Sequence, residues 1–96
     1  MNTTYKIGFS LVLALLLFPA RAADIGAGKA RASACMGCHG SAGVSNSGMF
    51  PSLAGQSSAY LETQLKHFRA GERANATMNA MTKDLKDADI QNLAAY

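Results

Sequence analysis

Apolar residues recur along this chain at helical spacing and nowhere alternate as a half-buried strand would. Leu61, Leu65 and Phe68 fall at i, i+4 and i+7, with Glu62, Lys66 and Arg69 on the wet side. The spacing predicts an amphipathic helix from about Ser58 to Ala70, capped by Ser58 and stopped by Gly71. In DADIQNLAAY, Ile90, Leu93 and Tyr96 define an inner face, and Asp87 and Asp89 suit the first turn of a closing helix with Asp87 as its cap. The alanine-rich IGAGKARASAC predicts a helix from about Asp24 to Cys38, capped by Asp24, in which Gly28 and Ala32 leave a smooth face for close approach by another helix. Two segments break the periodicity. HGSAGVSNSGMFPSLAGQ, from His39 to Gln56, reads as a loop by its turn chemistry, and ERANATMNAMTKDLK reads as irregular. Together these patterns predict an all-α fold of three main helices and two long loops.

The N-terminus has a different pattern. Lys6 precedes an apolar stretch from Ile7 to Phe18, and Ala20-Arg21-Ala22 supplies small residues at a cleavage position, so residues 1–22 are expected to be a cleaved secretory signal peptide. As a helix that stretch reaches about 18 Å against roughly 30 Å of hydrocarbon, too short for an anchor. Residues 23–96 are then expected to form one domain, exported to the periplasm, without stable membrane insertion.

Charge adds little once the signal is set aside. The chain is +3, with nine Lys and Arg against six Asp and Glu, but Lys6 and Arg21 leave with the signal and the remainder is +1. Nothing in that balance implies nucleic acid. A domain of this size needs more than its apolar core for stability, and a loop as long as 39–56 in a small domain usually wraps something.

ASACMGCHGS, from Ala32 to Ser41, holds the only cysteines of the chain. A thioredoxin-like pair needs a strand-helix-strand unit, which this pattern lacks. A Cys35–Cys38 disulfide would close too short a loop to constrain the unfolded chain. Zinc could draw on Cys35, Cys38, His39 and His67, but Cys38 and His39 are adjacent, so their side chains diverge by about 100° on a helix and meet one small ion poorly. Haem turns that divergence to use. Cys35 and Cys38, three apart, share one face and can each form a thioether with a vinyl group, while His39 turns its imidazole toward the iron. Covalent haem c is the expected cofactor.

From Gly28 to Tyr96 the chain resembles the class I cytochromes c, particularly the short bacterial kind typified by cytochrome c4 domains and cytochromes c-553. The segments that carry the resemblance are GKARASACMGCHG, FPSLAGQ, YLETQLKHFRAGER, TMNAM and LKDADIQNLAAY. It implies one covalently bound haem wrapped by the domain, with His39 as proximal iron ligand and a methionine sulfur on the distal side. Met36 lies between the anchoring cysteines and Met49 precedes Phe50-Pro51 on the proximal loop, which leaves Met78 and Met81. In the family the ligand stands seven residues before the leucine that precedes the last helix. That leucine matches Leu85, which selects Met78; Met81 then matches a second methionine that packs on the ring. Pro51 matches the proline whose carbonyl accepts the Nδ1 proton of the iron-bound histidine. Tyr60, Gln64 and Arg73 could reach haem propionates or be plain helix-surface residues, and His67 is expected to be a partly exposed surface histidine. Two departures stand out: Lys86 occupies a position where relatives commonly start the last helix with Ser, and relatives run several residues past Tyr96. The last helix is therefore either one turn short or the sequence is a fragment.

The resemblance implies a single-haem electron carrier, not an enzyme, with a raised reduction potential because a thioether favours Fe(II). Its expected partners are redox proteins such as a respiratory complex, a terminal oxidase or a periplasmic dehydrogenase. Electrons would leave by the edge framed by Met36, Gly37 and the Gly-rich loop, in brief apolar contacts. Two other readings compete: a haem-c subunit or domain of a larger oxidoreductase, and a five-coordinate gas sensor or peroxidase if neither methionine binds.

Overall fold

Among the residues described by the computed structural model, which are 3, 4, 8 and 22–96, there are five helices and no strands. They are α1 (Ile25–Ala32), α2 (Met36–His39), α3 (Ser58–Ala70), α4 (Ala76–Thr82) and α5 (Asp87–Ala95). The expected signal segment, 1–22, lies almost wholly outside the described residues. No described helix is long and apolar enough to cross a membrane.

α1 starts where expected, with the Asp24 carboxylate accepting from the Ala27 N–H at 3.0 Å. It does not run on to Cys38. The Ser33 hydroxyl donates to the Ala30 carbonyl at 3.0 Å, and the Cys35 N–H closes a tight turn on the Ala32 carbonyl at 2.8 Å. A serine that bonds back onto the preceding turn competes with the helical ladder, so the helix breaks and restarts at Met36 as the single turn of α2. This break re-aims Cys35, Cys38 and His39 relative to α1.

α3 spans the predicted residues, but its cap is Ser57, not Ser58. Ser57 has extended backbone geometry and its hydroxyl accepts from the Tyr60 N–H at 3.2 Å, while Ser58 is already helical. Gly71 stops the helix in the left-handed region, as glycine does best. The expected wet side is only partly wet. Glu62 and Lys66 are half-buried and paired at 3.0 Å, and Arg69 is half-buried with bonds to the Leu85 carbonyl at 2.9 Å and Asp87 at 2.6 Å.

Helix α4 stands where irregular chain was expected. Ala, Met and a capping Asn75 give the segment helical character, and side-chain bonds from Asn79 and Thr82 hold it, although seven residues are too few to be stable alone. The closing helix α5 is capped at Lys86, not Asp87. The Lys86 N–H donates to the Asp89 carboxylate at 2.9 Å, and the Asp87 carboxylate is drawn away by Arg69.

The helices pack in sequence, α1 on α5, α5 on α3 and α3 on α4. The approach of α1 to α5 depends on Gly28, where a Cβ would collide with the Asn92 carbonyl oxygen. Asn92 also accepts from the Asp24 N–H at 2.8 Å, and Arg31 pairs with Asp89 at 3.5 Å. The predicted inner face of α5 is shifted. Ile90 is completely buried and Leu93 half-buried, but Ala94 takes the third inner position and Tyr96 is exposed.

Candidate functional site

Buried apolar side chains are few among the described residues: Ala32, Ile90 and Ala94. The larger ones, Leu61, Leu65, Phe68, Leu85 and Leu93, are only half-buried. Leu65, Leu85 and Leu93 instead help line a cavity of about 330 Å³, together with Cys35, Met78 and Met81. Of the apolar stripe read in the sequence, Leu65 thus faces this cavity. One cysteine and both distal methionine candidates meet on its wall.

Cys38 looks onto a second cavity of about 330 Å³, beside Met36, Gly37, Ser41 and Phe50. Both cysteines are free thiols, Cys35 half-buried and Cys38 exposed. Burial first, and then the neighbouring Cys38, push the Cys35 thiol up from its ordinary value, so it rests as a neutral thiol in apolar surroundings.

His39 lines neither cavity. It is buried, its ring set edge-on to Phe50 with centroids 6.4 Å apart, and its Nδ1–H donates to the Pro51 carbonyl at 2.7 Å. That bond fixes the tautomer: Nδ1 carries the proton and Nε2 keeps a lone pair. No buried side-chain nitrogen or oxygen among the described residues lacks a partner, and Nε2 has none, so it opens to accessible space. Pro51 can hold the ring because the loop turns tightly at Gly40, whose φ is +90° and whose Cβ would strike the Val44 carbonyl.

Of the remaining candidates, Arg73 donates to Gln64 Oε1 at 2.8 Å and lies 4.6 Å over the Phe68 ring, while Tyr60 is half exposed. His67 faces Glu72 at 3.5 Å on the solvent side. It does not join Cys35, Cys38 and His39, and no cluster of three or more His, Cys, Asp or Glu that could hold a metal occurs among the described residues. A tetrahedral zinc site is therefore not formed.

The donor set fits haem: two free thiols three residues apart, an imidazole with a free lone pair, two thioether sulfurs and apolar walls. One feature of the site was not drawn from the sequence, although a count of charges would have found it. Residues 32–61 contain no Asp, Glu, Lys or Arg. The stretch includes both cysteines, His39 and the whole Gly-rich loop, with Val44 57% and Met49 83% exposed.

Residues 21–96 match the family described as "Cytochrome C oxidase, cbb3-type, subunit III". The chain is 40% identical over 78 residues to cytochrome c-554(548) of Halomonas halodenitrificans, covering 78% of this chain and 94% of that protein. It is 41% identical over 81 residues to a thiosulfate dehydrogenase electron acceptor of Thiomonas intermedia, covering 83% of this chain but 37% of that one. Among solved structures, a cytochrome c4 of Acidithiobacillus ferrooxidans superposes with a TM-score of 0.74 at 38% identity, over 82% of this chain and 51% of that one. The chain thus spans nearly all of the first of these relatives, but about a third of the second and half of the third.

Proposed function

Because the chain belongs to the cytochrome c family, whose members carry covalently bound haem c, we propose that it is a periplasmic electron carrier in which His39 and Met78 would bind the haem iron. When bound, the haem supplies a one-electron Fe(II)/Fe(III) couple. The remaining chemistry is the work of this chain's residues. Cys35 and Cys38 would hold the ring as thioethers. His39 offers Nε2, and the Pro51 carbonyl, holding Nδ1–H at 2.7 Å, keeps the imidazole oriented and makes it a better donor. Met78 offers its sulfur, and Leu65, Met81, Leu85 and Leu93 keep water away from the same cavity. Held by both His39 and Met78, the iron would be closed to weak ligands such as a diatomic gas or a peroxide, which suits a carrier of single electrons.

The observation that carries this reading is the Nδ1–H bond to Pro51, which leaves His39 in the one tautomer able to bind iron through Nε2. Residues 1–22 act as the export signal, and 23–96 form the haem-binding domain. Electrons pass through the charge-free face around Met36, Gly37 and Cys38 to a redox protein, such as a dehydrogenase or a terminal oxidase. The relative named as a thiosulfate dehydrogenase electron acceptor supports a thiosulfate dehydrogenase as one such donor.

Ferric spectra of protein matured in cells that attach haem c test the ligand set. A weak far-red iron-to-sulfur band is expected in the wild type and in Met81→Ala, and is expected to vanish in Met78→Ala. A band lost in Met81→Ala and kept in Met78→Ala would transfer the ligand role to Met81.

A further inference from the structure

Met78 and Met81 lie on the same cavity wall and differ in how their backbones are held. The Met78 N–H donates to Asn75 Oδ1 at 2.9 Å, and the Met78 carbonyl accepts from the hydroxyl of buried Thr82 at 2.7 Å. Among the described residues, no side chain bonds the backbone of Met81. The clamp on Met78 is itself anchored by its chain neighbour. Asn79 Nδ2 donates to the Phe68 carbonyl at 2.7 Å and the Arg73 carbonyl at 2.9 Å, while its Oδ1 accepts from the Asn75 N–H at 3.0 Å.

Both amide hydrogens and the amide oxygen of Asn79 are therefore engaged, which leaves it one available conformation. Its two acceptors lie at the end of α3 and in the turn beyond, and its donor is the cap of α4. One side chain thus joins α3 to α4 next to the residue whose sulfur matters. A helix of seven residues cannot fix a side chain by its own stability, so its placement comes from such ties. Asn79 does not line the cavity and has no hydrogen left to offer a ligand.

Resting on Met78 as ligand, we infer that Asn79 is a positioning residue that, through Asn75, holds the Met78 sulfur, not that of Met81, toward the haem iron. Loosening it frees α4 to move and lets an outside ligand compete with Met78.

The test is imidazole titration of the ferric holoprotein, followed in the visible spectrum. Asn79→Ala should bind imidazole about tenfold more tightly than wild type, equivalent to ~1.4 kcal/mol of lost positioning, with a weakened far-red band and unchanged covalent haem. Asn92→Ala is the control. It removes a side-chain-to-backbone bond of 2.8 Å between α1 and α5, and should lower thermal stability without changing imidazole affinity. If Asn79→Ala does not accumulate, Asn79→Asp, which keeps the acceptor for Asn75 and loses both donors, carries the same expectation. An Asn79 variant with wild-type imidazole affinity, in a protein whose far-red band disappears in Met78→Ala, would overturn this inference alone. A wild-type protein with no far-red band would overturn the Met78 assignment and this inference with it.

Discussion

His39 shows how a neighbour two turns of loop away decides the chemistry of one side chain. A neutral imidazole free of partners divides between two tautomers, whereas the Pro51 carbonyl at 2.7 Å selects the one with its proton on Nδ1. CMGCH could be read from the sequence because covalent chemistry fixes its spacing. The Pro51 contact was expected from the family resemblance, and the geometry gives its distance. The Arg69–Asp87 pair was not expected, since residues 18 apart on different helices leave no local pattern. Its hydrogen bond first, and then its charge, hold the Asp87 carboxyl below the usual carboxylate range. A carboxyl lower in the folded state than in the unfolded one contributes stability above its unfolded value, ~3.9, which is lost as the pH falls through the folded value. Asp87→Asn should therefore lower the melting temperature slightly at pH 7, and the difference from wild type should shrink to nothing in strong acid. Melting curves across that range check it; an equal difference at every pH would mean that the ion pair is not the cause. The effect is small because Asp87 is fully exposed.

At the scale of elements, α3 was legible almost to the residue because its apolar spacing, serine start and glycine stop all agree. The break between α1 and α2 was not, since it turns on one serine hydroxyl folding back onto Ala30 in a stretch whose composition favours continuous helix. Nor was α4, whose helical state depends on Asn79 reaching the end of α3. Long-range bonds of that kind have no periodicity. The pairing of small residues on α1 was legible, and Gly28 lies against the Asn92 carbonyl as that reading implied. Gly28→Ala should destabilise the holoprotein by about 1–3 kcal/mol in chemical denaturation, because the added methyl meets backbone that cannot move aside cheaply. No loss, or a gain from helix propensity, would mean that α1 and α5 do not approach this closely.

For the whole molecule, charge is segregated. Arg31, Lys66 and Arg69 pair with Asp89, Glu62 and Asp87 on the helices, while residues 32–61 carry no formal charge across the cysteines and the Gly-rich loop. A face without charge gives little long-range steering, so the rate of electron exchange with a partner should change less than about threefold between low and physiological ionic strength. A steep decline with salt in stopped-flow measurements would place docking on the charged helices instead. The same architecture leaves Leu65, Leu85 and Leu93 half-buried around a cavity, so the ring completes the core as well as supplying the redox centre. Chain made without haem attachment, by Cys35→Ala and Cys38→Ala together, should show little fixed tertiary structure by near-ultraviolet circular dichroism. The most direct test of the whole account is a potentiometric titration of the purified holoprotein with a full visible spectrum at each potential, repeated under carbon monoxide. A single one-electron wave, low-spin iron in both states, and a reduced spectrum indifferent to carbon monoxide are predicted for an electron carrier held by His39 and Met78. High-spin iron in either state, or a reduced form that binds carbon monoxide at once, would contradict it and identify an open, ligand-binding haem.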